Sequence, residues 1–132
     1  MDAAEVHRAL VGLTPFTAES VAEGLRYIDP DVIDHRGGTF GDHHGIDAWR
    51  EKWEAMARGE FFADFRDVAV RVEQNVSDGK VSVNRYTSSG TQISTGRRYA
   101  VTSMDMIRVR DGRVVEHWAL QDVTAKAAQL GG

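Results

Sequence analysis

The chain has 132 residues, 42% hydrophobic and 27% charged, with a formal net charge of −4 and no cysteine. That length suits one domain with a substantial core, and the missing thiols exclude disulfides, thiolate metal sites and a cysteine nucleophile. The acidic balance and scattered arginines argue against a nucleic-acid partner, and no apolar run or leader-like start points to a membrane, so a cytoplasmic protein is expected.

No repeat or linker divides the sequence, so residues 1–132 are expected to form one domain. "DAAEVHRALVGL" reads as a short helix or a fraying end. "TPFTAESVAEGLRYI" is a stronger helix starting at Thr14 or Thr17, with Val21, Leu25 and Ile28 on one face and Pro30 as its stop. "DVIDHRGGTFGDHHG" reads as a short extended piece and a loop. In "IDAWREKWEAMARGE", Ile46, Trp49, Trp53 and Met56 recur at helical spacing, and Gly59 ends the helix.

From residue 64 the period changes to two. Val68, Val70 and Val72 alternate with Ala69, Arg71 and Glu73, the pattern of a half-buried strand. "SDGK" turns into a second strand, "VSVNRYTSSGTQ", and "STGRR" turns into a third, "RYAVTSMDMIRVR". The Asp111-Gly112 pair signals a tight hairpin, from which "RVVEHWALQDV" returns antiparallel. Helices first and a meander of about four strands afterwards make an α+β domain, with a curved antiparallel sheet round N-terminal helices and an internal pocket for a small ligand.

Several residues could carry chemistry. Tyr99, Val101, Ser103, Asp105, Ile107 and Val109 share one strand face, which sets the Asp105 carboxylate among apolar neighbours. Asp105 is either a pocket acid or an acid paired with Arg85 or another arginine. On the last strand, Val115, His117, Ala119 and Gln121 share one face while Glu116, Trp118, Leu120 and Asp122 share the other. A regular strand therefore cannot aim both His117 and Asp122 into one pocket. Asp34, His35, Asp42, His43 and His44 cluster near a turn, but their spacing fits no known metal pattern, so no metal is expected. His35, just after an apolar pair, is the better pocket histidine. Trp49 and Trp53 belong to the core or to a cavity wall, and Tyr99, Trp118 and Arg85 are further candidates to line the pocket. No phosphate loop or nucleophile elbow occurs.

The segments "YIDPDVIDH", "GIDAWREKW", "DFRDVAVRV", "SDGKVSVNRYTSSGTQ" and "TGRRYAVTSMDMIRVRDGRVVEHWALQD" resemble the SnoaL-like polyketide cyclase family. That family sits in the nuclear-transport-factor-like superfamily, together with ketosteroid isomerase. The resemblance spans roughly residues 17–123 and is most specific from "TGRR" onward. It implies a cone-shaped α+β barrel, assembled as a homodimer or homotetramer. It also implies intramolecular aldol closure of a hydrophobic polyketide-like molecule without cofactor or metal. The position four after the family's tryptophan, its general acid/base, is Asp122 here, with His117, His35 and Asp105 as orienting or oxyanion-stabilising groups. The sequence departs from the family at "GTQISTGRR", which carries Gln92 and a shortened loop. The superfamily leaves other readings open: an epoxide hydrolase using Asp105 and Asp122 with Arg85 between them, an isomerase, a hydroxylase, or a module that binds without turnover.

Overall fold

A computed structural model describes residues 1–36 and 41–132; residues 37–40 of the expected loop lie outside the described residues. Helix α1 (Ala3–Val11) is held at its start by a capping box. Asp2 accepts the Glu5 N–H, and the Glu5 carboxylate accepts the Asp2 N–H. The Ala3 N–H also donates to the Gly79 carbonyl, so the helix does not fray. Helix α2 (Ala18–Gly24) begins at Thr17, whose hydroxyl accepts from the Ser20 N–H.

α2 ends earlier than expected. The chain passes through a 3-10 turn at Leu25–Tyr27, and Pro30 lies within strand β1 (Ile28–His35). Val21, Leu25 and Ile28 nonetheless reach the same core, which is why a helix, a turn and a strand mimic one helical stripe. Pro30 is tolerated because the β1 ladder is irregular between Ile28 and Ile33. Strand β2 (Asp42–His44) follows, then helix α3 (Ile46–Ala57), which buries Trp49 and Trp53 and stops before Gly59 at φ 76°. A Cβ on Gly24 would meet Leu13 and Trp53, so α2 and α3 approach closely only because glycine stands there.

The meander is as expected: β3 (Phe65–Ser77), β4 (Val81–Gln92), β5 (Arg98–Arg110) and β6 (Arg113–Gln121). Asp111 at φ 53° and Gly112 at φ 75° form the hairpin turn before β6. The sheet is larger and more mixed than the expected four antiparallel strands. It has six strands in the order β2-β1-β6-β5-β4-β3, and β1 pairs parallel to β6. The β3 strand is an edge, and Val68, Val70 and Val72 remain 38%, 42% and 38% exposed rather than half-buried in a core. A short helix α4 (Val123–Gln129), not expected from the sequence, follows β6. The architecture is α+β, with α1 packed on β3, β4 and β5 and α3 on β1 and β2. No helix among the described residues is long and apolar enough to cross a membrane.

Candidate active site

A cavity of about 340 Å³ lies between the inner face of the sheet and helices α1 and α3. Part of its lining is apolar: Leu10, Val11, Phe16, Met56, Val70 and Val72. Elsewhere the wall carries His7, Asp34, Lys52, Tyr86, Asp105 and His117. Strand alternation explains how these groups meet. Asp34 on β1 is in register with His117 on β6, and Asp105 on β5 is in register with Ala119, two residues along from His117. His7 reaches the site from α1, and Lys52 from α3.

Asp34 is 2% exposed and surrounded by donors. Its Oδ2 accepts from Lys52 Nζ at 2.7 Å and Arg36 Nε at 3.0 Å, and its Oδ1 lies 2.9 Å from His117 Nδ1. Burial pushes the Asp34 carboxyl upward, but the His117 hydrogen bond and the Lys52 charge outweigh it and hold the group well below the ordinary carboxylate range. Lys52 is pulled below its ordinary value by burial, against the attraction of Asp34. Its ammonium also lies 3.6 Å from the centre of the Trp49 ring.

An ionised Asp34 can only accept, so His117 donates Nδ1–H to it. That leaves His117 Nε2 as the free nitrogen, 3.4 Å from Asp105 Oδ2. Burial also works against the charge on Asp105. The His117 and His7 rings beside it prevail and bring its pKa down to about 2, His7 by a hydrogen bond at 2.9 Å and His117 whenever its Nε2 carries a proton. The Tyr86 phenol is pushed up to about 12, first by burial and then by the Asp105 charge. Among the described residues Tyr86 Oη has no hydrogen-bond partner, so a neutral phenol O–H is available to a ligand. The assembly can therefore remove a proton, hold it and stabilise a nearby oxyanion.

The sequence candidates are divided by this geometry. Asp105, His117, Trp49 and Trp53 line the cavity, and His35 borders it. The His35 ring is committed: its nitrogens lie 2.9 Å from both Asp42 and Glu116, and it stacks on Trp118. The Glu116 hydrogen bond raises the His35 pKa, with Asp42 adding to the effect and burial opposing it.

Asp122 lies outside the cavity. It follows the last residue of β6, is exposed, and accepts the Ala125 N–H as the cap of α4. Trp118 stands on the outer face with its register neighbours His35 and Met106. Arg85 is exposed and pairs in register with Met104, whereas Asp105 pairs with Asn84, so strand alternation turns Arg85 away from Asp105. Neither the Asp105–Arg85 pair nor an Arg85 bridge between Asp105 and Asp122 forms. Tyr99 faces inward but packs against Phe65 and Gly90, outside the cavity lining.

Lys52, Tyr86 and His7 are the site residues that sequence reasoning missed, and Asp34 was weighed there only as a metal ligand. His7 did carry a signal: Ala3, Val6, His7 and Leu10 form one helical stripe that is apolar except for the histidine.

The model of the SnoaL-like polyketide cyclase family matches residues 7–130. No curated protein matches the chain. Among solved structures, IdmH of Streptomyces antibioticus, a candidate polyketide cyclase, is 31% identical with a TM-score of 0.72, over 96% of this chain and 99% of that one. TsrD of Streptomyces laurentii is 23% identical with a TM-score of 0.72, over 99% and 98%. AclR of Streptomyces galilaeus, a candidate hydroxylase, is 19% identical with a TM-score of 0.70, over 97% and 80%. At those identities the last two show a shared fold alone.

Proposed function

The chain belongs to the SnoaL-like polyketide cyclase family, and from that premise we propose that it closes a ring in a hydrophobic polyketide-like substrate by general acid/base catalysis centred on His117. One observation carries the reading: the His117 imidazole lies between the buried Asp34 carboxylate and the half-buried Asp105 carboxylate on the wall of a cavity with an extensive apolar lining. Asp34 fixes Nδ1–H, which leaves the Nε2 lone pair to take an activated α-proton from the substrate. The imidazolium that forms is stabilised by Asp34 and Asp105. The resulting enolate oxygen accepts a hydrogen bond from Tyr86, and the enolate carbon attacks a second carbonyl of the same molecule. The new alkoxide then recovers the proton from His117 Nε2, which restores the enzyme.

A desolvated acid beside a histidine favours catalysis over simple binding, because a module that only binds has no need of a buried charge relay. The exposed outer-face pair Met104 and Leu120, which are register partners, supports assembly with further copies of the chain. We propose a cytoplasmic location, since a chain without cysteine suits a reducing compartment.

The test is incubation with a panel of linear polyketones bearing β-dicarbonyl units, with cyclised product read by chromatography and mass. Wild type should give ring-closed product. His117→Asn, which keeps a polar group of similar size, should lose about 10²–10⁴-fold in turnover. Ring closure that proceeds equally well in the variant would remove His117 from the reaction.

A further inference from the structure

His7 comes from the first helix, is 1% exposed, and has both ring nitrogens engaged. Its proton can be located from the groups around it. Asn75 Nδ2 lies 3.2 Å from the Val83 carbonyl, 2.8 Å from Asn84 Oδ1 and 2.7 Å from Ser82 Oγ. A backbone carbonyl can only accept, so the Asn75 amide must present its NH2 on this side. The amide has two N–H groups for three acceptors, and the shortest contact gives one of them to Ser82 Oγ. Its own single proton is left for its other partner among the described residues, His7 Nδ1 at 2.8 Å. The ionised Asp105 carboxylate can only accept, so the ring proton sits on Nε2, shared between Asp105 Oδ1 at 2.9 Å and Oδ2 at 3.0 Å, and in the neutral ring Nδ1 is then the acceptor that faces Ser82 Oγ.

We infer that His7 is a positioning residue for the site, held by the Asn75–Ser82 pair at Nδ1 so that its Nε2–H keeps the Asp105 carboxylate in place as an acceptor facing His117. This rests on the catalytic role proposed for His117. The chain of hydrogen bonds orients Asp105 from the side opposite His117. Without it the carboxylate could swing from the His117 ring or pair with another donor, and the imidazolium formed during proton transfer would lose one of its two counter-charges. His7 itself does not touch the reacting atoms. Edge strand β3, through Asn75, Ser82 and His7, thereby supports the placement of a half-buried group on the central strand β5.

The experiment is long-range 1H–15N correlation NMR of the histidine rings in the ligand-free protein at pH 7, with the Asp105 carboxyl 13C shift followed in parallel. In wild type, His7 should show an unprotonated Nδ1 and a protonated Nε2. Ser82→Ala should leave Nε2 protonated, because the Asp105 carboxylate still demands a donor, but should move the His7 Nδ1 resonance and, through Asp105, the His117 ring resonances. His7→Gln keeps an N–H near the position of Nε2 and should leave the Asp105 carboxyl shift close to wild type, whereas His7→Leu should move it. A wild-type His7 protonated on Nδ1, an unchanged His7 Nδ1 resonance in Ser82→Ala, or equal Asp105 shifts in the Gln and Leu variants would each overturn the inference. If His7→Leu does not fold, Ser82→Ala still decides the matter. With a substrate from the panel above, His7→Leu should lower kcat on the order of tenfold or more, the penalty of a slightly misplaced catalytic group. KM should change little, and His7→Gln should recover most of the rate. The NMR outcome does not depend on turnover, so a wild-type protein that closes no ring sinks the ring-closure reading and leaves the His7 geometry to be judged separately.

Discussion

Replacing Asp34 by asparagine keeps the size of the side chain and removes the single negative charge shared by Lys52, Arg36 and His117. Lys52 is only 12% exposed and would be left as a buried ammonium with no counter-ion at its tip. Breaking a buried pair from one side costs about 3–5 kcal/mol, because the surviving charge has lost both water and partner. For 132 residues, an unfolding entropy of about 0.28 kcal/mol/K converts that cost into a fall of roughly 11–18 °C in Tm. Thermal and urea unfolding would measure it directly.

The pH dependence gives a second signature of the same charge. The carboxyl pKa of Asp34 is lowered on folding, so its ionised form stabilises the folded state. That contribution is fully present above about pH 4 and is lost as pH falls toward the folded-state value. Wild type should therefore lose stability steeply on acidification below pH 4, and Asp34→Asn should lose it less steeply. Asp105, whose pKa is about 2, acts with the same sign and keeps the slope from vanishing. Lys52→Met leaves Asp34 with Arg36 and His117, and should cost less than Asp34→Asn. An Asp34→Asn protein within 1 kcal/mol of wild type, with an unchanged acid slope, would refute the claim that a buried charge centre is anchored on Asp34.

Two further outcomes separate the cavity groups from the others. Tyr86→Phe removes the unpartnered phenol O–H and should lower kcat for ring closure by about 10²-fold while leaving the Tm close to wild type; full activity would show that the oxyanion is held elsewhere. Asp122→Ala removes the cap of α4 and should cost roughly 1 kcal/mol in urea unfolding. Its turnover should stay within a factor of two of wild type, and abolished ring closure in a folded protein would return Asp122 to the reaction.

The strands of the meander were legible because their patterns are local. Alternation in β5 fixes the inward face from Tyr99 to Val109, and the Asp111-Gly112 turn fixes where β6 begins. Three features did not read through. The 3.6-residue pattern of Val21, Leu25 and Ile28 continued past the end of α2, because burial constrains faces and not backbone type. β1 joins the sheet parallel to β6, a long-range pairing that leaves no short-range period. The valines of β3 alternate as a core strand would, yet stay exposed in part on an edge strand, and Val70 and Val72 line a cavity rather than packed side chains.

The site shows the same division between local and non-local information. Parity along β6 correctly separated His117 from Asp122, because that argument needs only the strand itself. The resemblance pointed to Asp122, and Asp122 lies where the strand has already ended and its carboxylate is used to start a helix. What the sequence could not supply was counter-ions. His117 and Asp34 are 83 residues apart, and the Lys52 that neutralises Asp34 lies on a helix whose pattern shows only its buried tryptophans. Yet the rule that singled out Asp105, a carboxylate sharing a strand face with apolar residues, applies equally to "DVIDH". Val32 and Asp34 alternate onto one face there, and both are buried. In that short segment the cost of burying an unpaired carboxylate by itself demands cations close by, and the chain brings two to Asp34, Arg36 from the same strand end and Lys52 from α3.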